Sequence, residues 1–284
     1  MLHTSNEDFT QEQIYEFVGV NDYTANITLQ PGSDSAESLE LRKPKVLEVP
    51  FESEGKGKDI GWMYRALCLY MAEGIALMPE EHAEYLAYKM IIEYDQLTKE
   101  ERDEIFTEKG AVKNKQVAYY YLMWKKDAGL LTDKENRLLV DLSRNRFEER
   151  LALADKELRN MGLSLNKLAE KYPEKGLLLL KKIDGFHEQR YNIVGKHLLY
   201  LSFESFLHIY FRHVKELSVA NQDLEATMNV VLHAFNEKYQ ELKEKNPDNR
   251  CFCKGSQAYY YNGDYYDIDV HPDGHIASFY KKEK

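Results

Sequence analysis

The dipeptide Asn262-Gly263 constrains this chain more than any other feature. It sits between two alternating runs, Ser256 to Tyr261 and Asp264 to Val270. Both central residues of a type I′ turn need positive φ, which Asn and Gly tolerate, so the segment predicts a two-residue β-hairpin. Within the second run Tyr266, Ile268 and Val270 alternate with Asp267 and Asp269, giving one apolar and one acidic face. Pro272-Asp273-Gly274 predicts the next turn and His275 to Tyr280 a third strand, with Arg250 to Lys254 as a fourth. Upstream, Ser202 is placed to cap a helix over Phe203–Leu217. A second long helix covers about Asp223–Lys245 and stops at Asn246-Pro247. Two helices on a three- or four-stranded antiparallel sheet follow.

The middle of the chain reads as helix. Trp62, Met63, Ala66, Leu67, Tyr70 and Met71 recur at three-to-four spacing. Met78-Pro79 ends that helix and starts the next, with Glu80 and Glu81 in its first turn. Thr98-Lys99-Glu100-Glu101 and Thr132-Asp133-Lys134-Glu135 are capping boxes, the second opening a long charged helix to about Leu158. Ser164 caps a short helix ending near Tyr172-Pro173. The apolar run Leu177 to Leu180 fits helix or strand, and Arg190–Val194 and His197–Leu201 fit short strands or an extended connection. No fixed-period repeat is visible.

Residues 1–60 hold 5 Lys+Arg against 12 Asp+Glu, with loop-forming Gly and Ser stretches and short alternating runs. Gly55-Lys56-Gly57-Lys58 lacks the glycine-to-lysine spacing of a phosphate loop and reads as a flexible connection. The expected organisation is therefore an acidic arm (1–60), a helical domain (61–178) and an α+β domain ending in an antiparallel meander (179–284). The fold class is α+β.

With 43% hydrophobic and 30% charged residues in 284, the chain has ample material for a core. Its net charge of −10 argues against a non-specific DNA-coating surface. No apolar run approaches the roughly 20 residues of a membrane span. The polar start Met1–Thr10 is no secretory signal. Three cysteines, Cys68, Cys251 and Cys253, fit a reducing compartment, so a cytoplasmic location is expected.

Candidate chemistry concentrates on the first helix of the C-terminal part. His208 and Arg212 are four apart and share one side, and His213 adjoins Arg212. Histidine titrates near neutrality and arginine grips phosphate through paired donors. Together they have the parts for phosphodiester cleavage: a base, an acid and a cation for the charged transition state. The plainer reading is a core margin with a satisfied imidazole and a snorkelling arginine.

The order of features resembles the barnase/EndoU/colicin/RelE-like ribonuclease superfamily, versions of which end phage-associated and polymorphic toxin proteins. The features are His-x3-Arg-His on a helix, a long helix, Asn-Pro, a basic strand, Tyr-Tyr-Asn-Gly-Asp-Tyr-Tyr-Asp-Ile-Asp-Val, a Pro-Asp-Gly turn and a last strand. The resemblance covers about residues 196–284. It implies a metal-independent endoribonuclease in which His208, Arg212 and His213 supply acid, base or phosphate contact. Lys254 would contact phosphate, and Ser278 and Tyr280 would be the last-strand hydroxyls. Arg250 and Lys215 add substrate-binding cations. RNA is the implied partner and no cofactor is expected. The acidic arm would cover a basic cleft by mimicking nucleic acid.

Two other readings stand beside it. Residues 196–284 carry 11 Lys+Arg against 13 Asp+Glu, and the chain as a whole is acidic. A non-catalytic interaction, immunity or regulatory protein, binding a basic partner through an acidic helical surface, suits that balance. Cys251-x-Cys253 followed by His271-x3-His275 offers four zinc-type donors, though not at the usual zinc spacing, and no metal is assigned. Tyr259, Tyr260, Tyr261, Tyr265 and Tyr266 alternate across the hairpin. Packing against cross-strand neighbours is preferred over base stacking.

Overall fold

A computed structural model describes residues 60–171, 173–192, 195–212 and 220–282. All of the acidic arm but its last residue, together with His213 and Lys215, lies outside the described residues. Among those described, no helix is long and apolar enough to cross a membrane.

Two apolar cores organise the α+β chain. The first is all-helical: α1 (Ile60–Ala72), α2 (Pro79–Ile92), α3 (Lys99–Ile105), α4 (Lys115–Asp127) and the start of α5 (Asp133–Asn160). Leu86, Ile105, Val117 and Leu122 are fully enclosed there. Both capping boxes form. Thr98 Oγ1 accepts the Glu101 N–H while the Glu101 carboxylate accepts the Thr98 N–H, and Thr132 with Glu135 repeats the exchange. Asn114 adds a cap on α4, its side-chain oxygen accepting from Gln116 and Val117 N–H. On α1 the buried residues are Tyr64 and Leu67, whereas Trp62 is 65% exposed and Met71 45%. The reason is packing width. This edge helix lies mainly along α2, so only one narrow stripe of its apolar surface is covered.

The second core draws on Phe147, Ala154 and Leu158 of α5, then α6 (Leu165–Lys171) and α7 (Pro173–Asp184). It continues through β1 (Gln189–Arg190), β2 (Tyr200–Leu201), α8 (Phe203–Arg212), α9 (Ala220–Lys245) and a C-terminal sheet. The run 177–180 resolves as helix α7, which buries Leu179, Leu180 and Ile183. The Ser202 hydroxyl accepts the Ser205 N–H and caps α8 as its position implies.

The sheet contains β3 (Cys251–Cys253), β4 (Tyr259–Tyr261), β5 (Asp264–Val270) and β6 (Ile276–Lys281), all antiparallel. The turn between β4 and β5 has φ of 48° at Asn262 and 93° at Gly263, as its sequence requires. β6 pairs with Tyr266–Val270 of β5, which include the β3 partners Ile268–Val270 and the β4 partner Tyr266. A strand has two edges, so β3 and β4 share one of them as a single line broken by the excursion 254–258. Against β6 the register shifts, since Asp269 faces Ser278 while Val270 faces Ile276; Ala277 is the bulged residue. Helix α8 packs behind β6 and α9 behind β3 and β4. Tyr266, Ile268, Val270, Ile276 and Phe279 meet those helices in the core.

Several contacts lock the parts together. The Tyr200 N–H donates to the Gly274 carbonyl at 3.0 Å, tying β2 to the turn before β6. Between the cores, Arg150 is 8% exposed and donates to the carbonyls of Ile183, Asp184 and Phe186. Beside it Arg190 pairs with Glu81, and Arg146 with Glu80.

Candidate functional site

The helices cover one face of the sheet. The pleat sends alternate residues to the other. Cross-strand pairing identifies them: Phe252 opposite Asp269, Tyr260 opposite Tyr265, Ser278 opposite Asp269 and Tyr280 opposite Asp267. Phe252, Tyr260 and Tyr265 are 53%, 58% and 53% exposed. The tyrosine cluster of the hairpin is thus divided by the alternation. Tyr259 packs on Phe235 and Tyr266 on Phe279, while Tyr260 and Tyr265 sit together on the outer face with ring centres 5.1 Å apart.

Asp269 organises this face. Its side chain is 3% exposed and takes a two-pronged pair from Arg250, Nε to Oδ1 and Nη2 to Oδ2, both at 2.7 Å. Lys254 Nζ donates to Oδ2 at 3.1 Å. Burial opposes the ionised form of Asp269, but Arg250 and Lys254 outweigh it and hold the carboxyl below its ordinary range. The cations keep a second contact: the Arg250 guanidinium lies 4.9 Å and the Lys254 ammonium 5.8 Å from the Phe252 ring centre. Asp267, on the same face, is also buried and accepts the Gly255 N–H, fixing the excursion 254–258. Lys282 donates to the Gly255 carbonyl from the other side. The two aspartates on this face are therefore engaged internally. Among the described residues, Arg250, Lys254 and Lys282 stand against them, three cations to two carboxylates.

At the end of the face, beyond β5, the rings of His271 and His275 stack with centres 4.1 Å apart. His275 Nδ1 lies 2.7 Å from Asp273 Oδ1. Burial first, then His275 and Arg250 beside it, push the His271 imidazole below its ordinary value.

The structure brings together Arg250, Lys254, Ser278 and Tyr280 of the sequence-derived set, on the outer face. Ser278 Oγ is buried without a hydrogen-bond partner among the described residues. His208 is elsewhere. It projects from α8, behind the sheet, and its Nδ1 lies 2.9 Å from Glu157 Oε1 on α5. Arg212 closes α8, its side chain outside the described ones. Cys251 and Cys253 point into the core, away from His271 and His275 at the turn. Among the described residues, no three His, Cys, Asp or Glu side chains are placed to hold a metal ion.

Sequence reasoning missed the part played by Asp269, Phe252 and the stacked imidazoles. The pattern Cys-Phe-Cys carried a signal for Phe252, since two small apolar residues flank an aromatic one of opposite orientation. Nothing local marks Asp269 as the collector of two cations, because both partners reach it from the two ends of β3, at least fifteen residues away. Compared with protein-family models, with curated proteins and with solved structures, the chain matches none.

Proposed function

We propose that the C-terminal unit binds single-stranded RNA on the outer face of its sheet, as a ribonuclease-like domain would. One observation carries this reading. Phe252, Tyr260 and Tyr265, each more than half exposed, share one sheet face with Arg250 and Lys254. Aromatic rings on a sheet stack unpaired bases, and cations at their margin hold the backbone. The Phe252 and Tyr260–Tyr265 positions are separated by four residues along β5, roughly 13 Å, which suits successive splayed bases. The chain's overall acidity counts less once Asp267 and Asp269 are engaged internally.

Cleavage is the further step of this proposal. It draws support from the superfamily resemblance and from Ser278, Arg250 and Lys254 lying on one face. With the sheet between them, His208 and Ser278 do not address one phosphate, so the geometry favours binding ahead of cleavage by that set. The alternative, recognition of a basic protein, is favoured by the exposed acids Glu100, Asp103 and Glu104 on α3.

The test is titration of a fluorescent, unstructured 12-mer RNA with the full chain, without added metal. The full chain is needed because Phe147, Ala154 and Leu158 complete the core behind the sheet. Phe252→Ala and Tyr260→Ala are each expected to cost about 1–3 kcal/mol of binding. Absence of binding at low salt, or binding indifferent to both substitutions, refutes the proposal. Parallel gel analysis of the same RNA with His208→Ala and Ser278→Ala reads cleavage separately.

A further inference from the structure

On the helical side of the C-terminal unit, away from the sheet face, α7, α8, α9 and the start of β1 enclose a cavity of about 470 Å³. That volume falls in the range of small-molecule sites. Its floor is apolar: Phe186, Leu201, Phe206, Ile209 and Met228, all buried. Its rim carries Lys181 and Lys182, with His187 beside them held 3.5 Å from Glu80, and no aspartate or glutamate is among the described lining residues.

The remaining polar lining groups include the side-chain amides of Gln189 and Asn229. The Tyr191 hydroxyl lies 3.0 Å from the Gln189 side-chain amide and 3.2 Å from that of Asn229; with one proton to give, it donates to one of them. The other polar positions of those two lining amides have no partner among the described residues. Lys181 likewise has no carboxylate partner among them. Lys182 Nζ is set 5.4 Å from the Tyr210 ring centre, at the cavity wall. Donors and cations above an apolar floor complement a ligand with a negative head and an apolar body.

We propose that this cavity binds a small amphipathic organic anion. Its apolar body lies on Phe186, Phe206 and Ile209, and its carboxylate or phosphate head meets Lys181, Lys182, Gln189 and Asn229. The site is independent of the RNA-binding reading, since none of its residues belongs to the outer sheet face.

The test is calorimetric titration of the full chain with three probes. Octanoate offers an alkyl body, adenosine 5′-monophosphate a planar aromatic one, and inorganic phosphate the head alone. At least one organic anion is expected to bind, and inorganic phosphate more weakly or not at all. The surface double variant Lys181→Glu/Lys182→Glu is expected to weaken binding roughly ten- to a hundredfold, the scale of lost charge-assisted hydrogen bonds. It should leave RNA binding unchanged. Ile209→Trp fills the floor and should abolish binding; if that variant does not fold, the charge variant decides. The proposal is overturned if neither organic anion binds at millimolar concentration, if phosphate alone binds as tightly, or if charge reversal has no effect.

Discussion

Glu80 and Glu188 bind each other twice: the Glu80 N–H donates to Glu188 Oε2 at 2.9 Å, and the Glu188 N–H donates to Glu80 Oε2 at 3.0 Å. One residue starts α2 and the other leads into β1, so the exchange fastens the two cores. The carboxyls end in different states. Burial works against ionisation of Glu80, but hydrogen bonds from His187 and the Glu188 N–H, with the charge of Arg146, overcome it and lower its pKa. Burial, with Glu80 and Glu81 nearby, pushes Glu188 up to about 7.

A pH dependence follows from Glu188. The folded protein holds this proton more tightly than the unfolded chain, whose value is about 4.5. Its stabilising contribution is complete below that value and is lost as pH rises through about 7. Glu188→Gln keeps an acceptor for the Glu80 N–H and removes the titration. Urea midpoints at pH 5 and pH 8 should show wild type losing ground to the variant at the higher pH. Parallel behaviour at both would contradict the assignment.

Arg150→Met should destabilise the protein by about 3 kcal/mol or more, because the carbonyls of Ile183, Asp184 and Phe186, at and just past the end of α7, lose their donor. Equilibrium denaturation with near-UV circular dichroism reads the change. A loss under about 1 kcal/mol would mean that water replaces the guanidinium easily.

Gly274 and Gly263 separate two costs. Both have φ near 90°, at 92° and 93°. A Cβ on Gly263 meets open space, whereas one on Gly274 would lie 1.9 Å from the Leu198 carbonyl oxygen. Gly263→Ala should cost about 1–2 kcal/mol from backbone strain alone. Gly274→Ala should cost more, by about 1–3 kcal/mol, because the β2 connection must move. Thermal melts of the two variants measure the difference directly, and equal losses would remove the close approach as a constraint.

Asp269→Asn tests the electrostatics of the sheet face. Removing the carboxylate frees Arg250 and Lys254 for phosphate. RNA affinity should rise at low salt, and the log–log salt slope should steepen by about 0.7 for each cation released. Stability should fall near neutral pH. The wild-type advantage should itself vanish on acidification below the ordinary carboxyl value of 3.8, since protonation breaks the same pairs. An unchanged salt slope would place RNA elsewhere.

Local rules accounted for the elements and only part of the site. Thr98, Thr132, Ser202 and Asn262-Gly263 act within a few residues of themselves, so their effects were legible in the chain. The run 177–180 was ambiguous because a short apolar stretch satisfies either period; burial against α5 decides for helix. His208 looked chemical from its own helix. Its carboxylate partner Glu157 lies fifty-one residues earlier, a distance no helical spacing reports. The outer face was readable as alternation, but the pairing of Arg250 and Lys254 with one aspartate depends on how β3 registers against β5.

Helix α5 gives the molecule a mechanical property. Its 28 residues form a rod of roughly 42 Å. Leu139 is embedded in one core, and Phe147, Ala154 and Leu158 in the other. The two cores are therefore locked in rotational phase. A single residue inserted between Leu142 and Arg146 would turn one core by about 100° and shift it by about 1.5 Å relative to the other. That would carry Arg146 and Arg150 out of reach of Glu80 while leaving each core's own packing intact. Along this helix the spacing of residues is conformational information, as binding on the rest of the chain as the identity of any side chain in it.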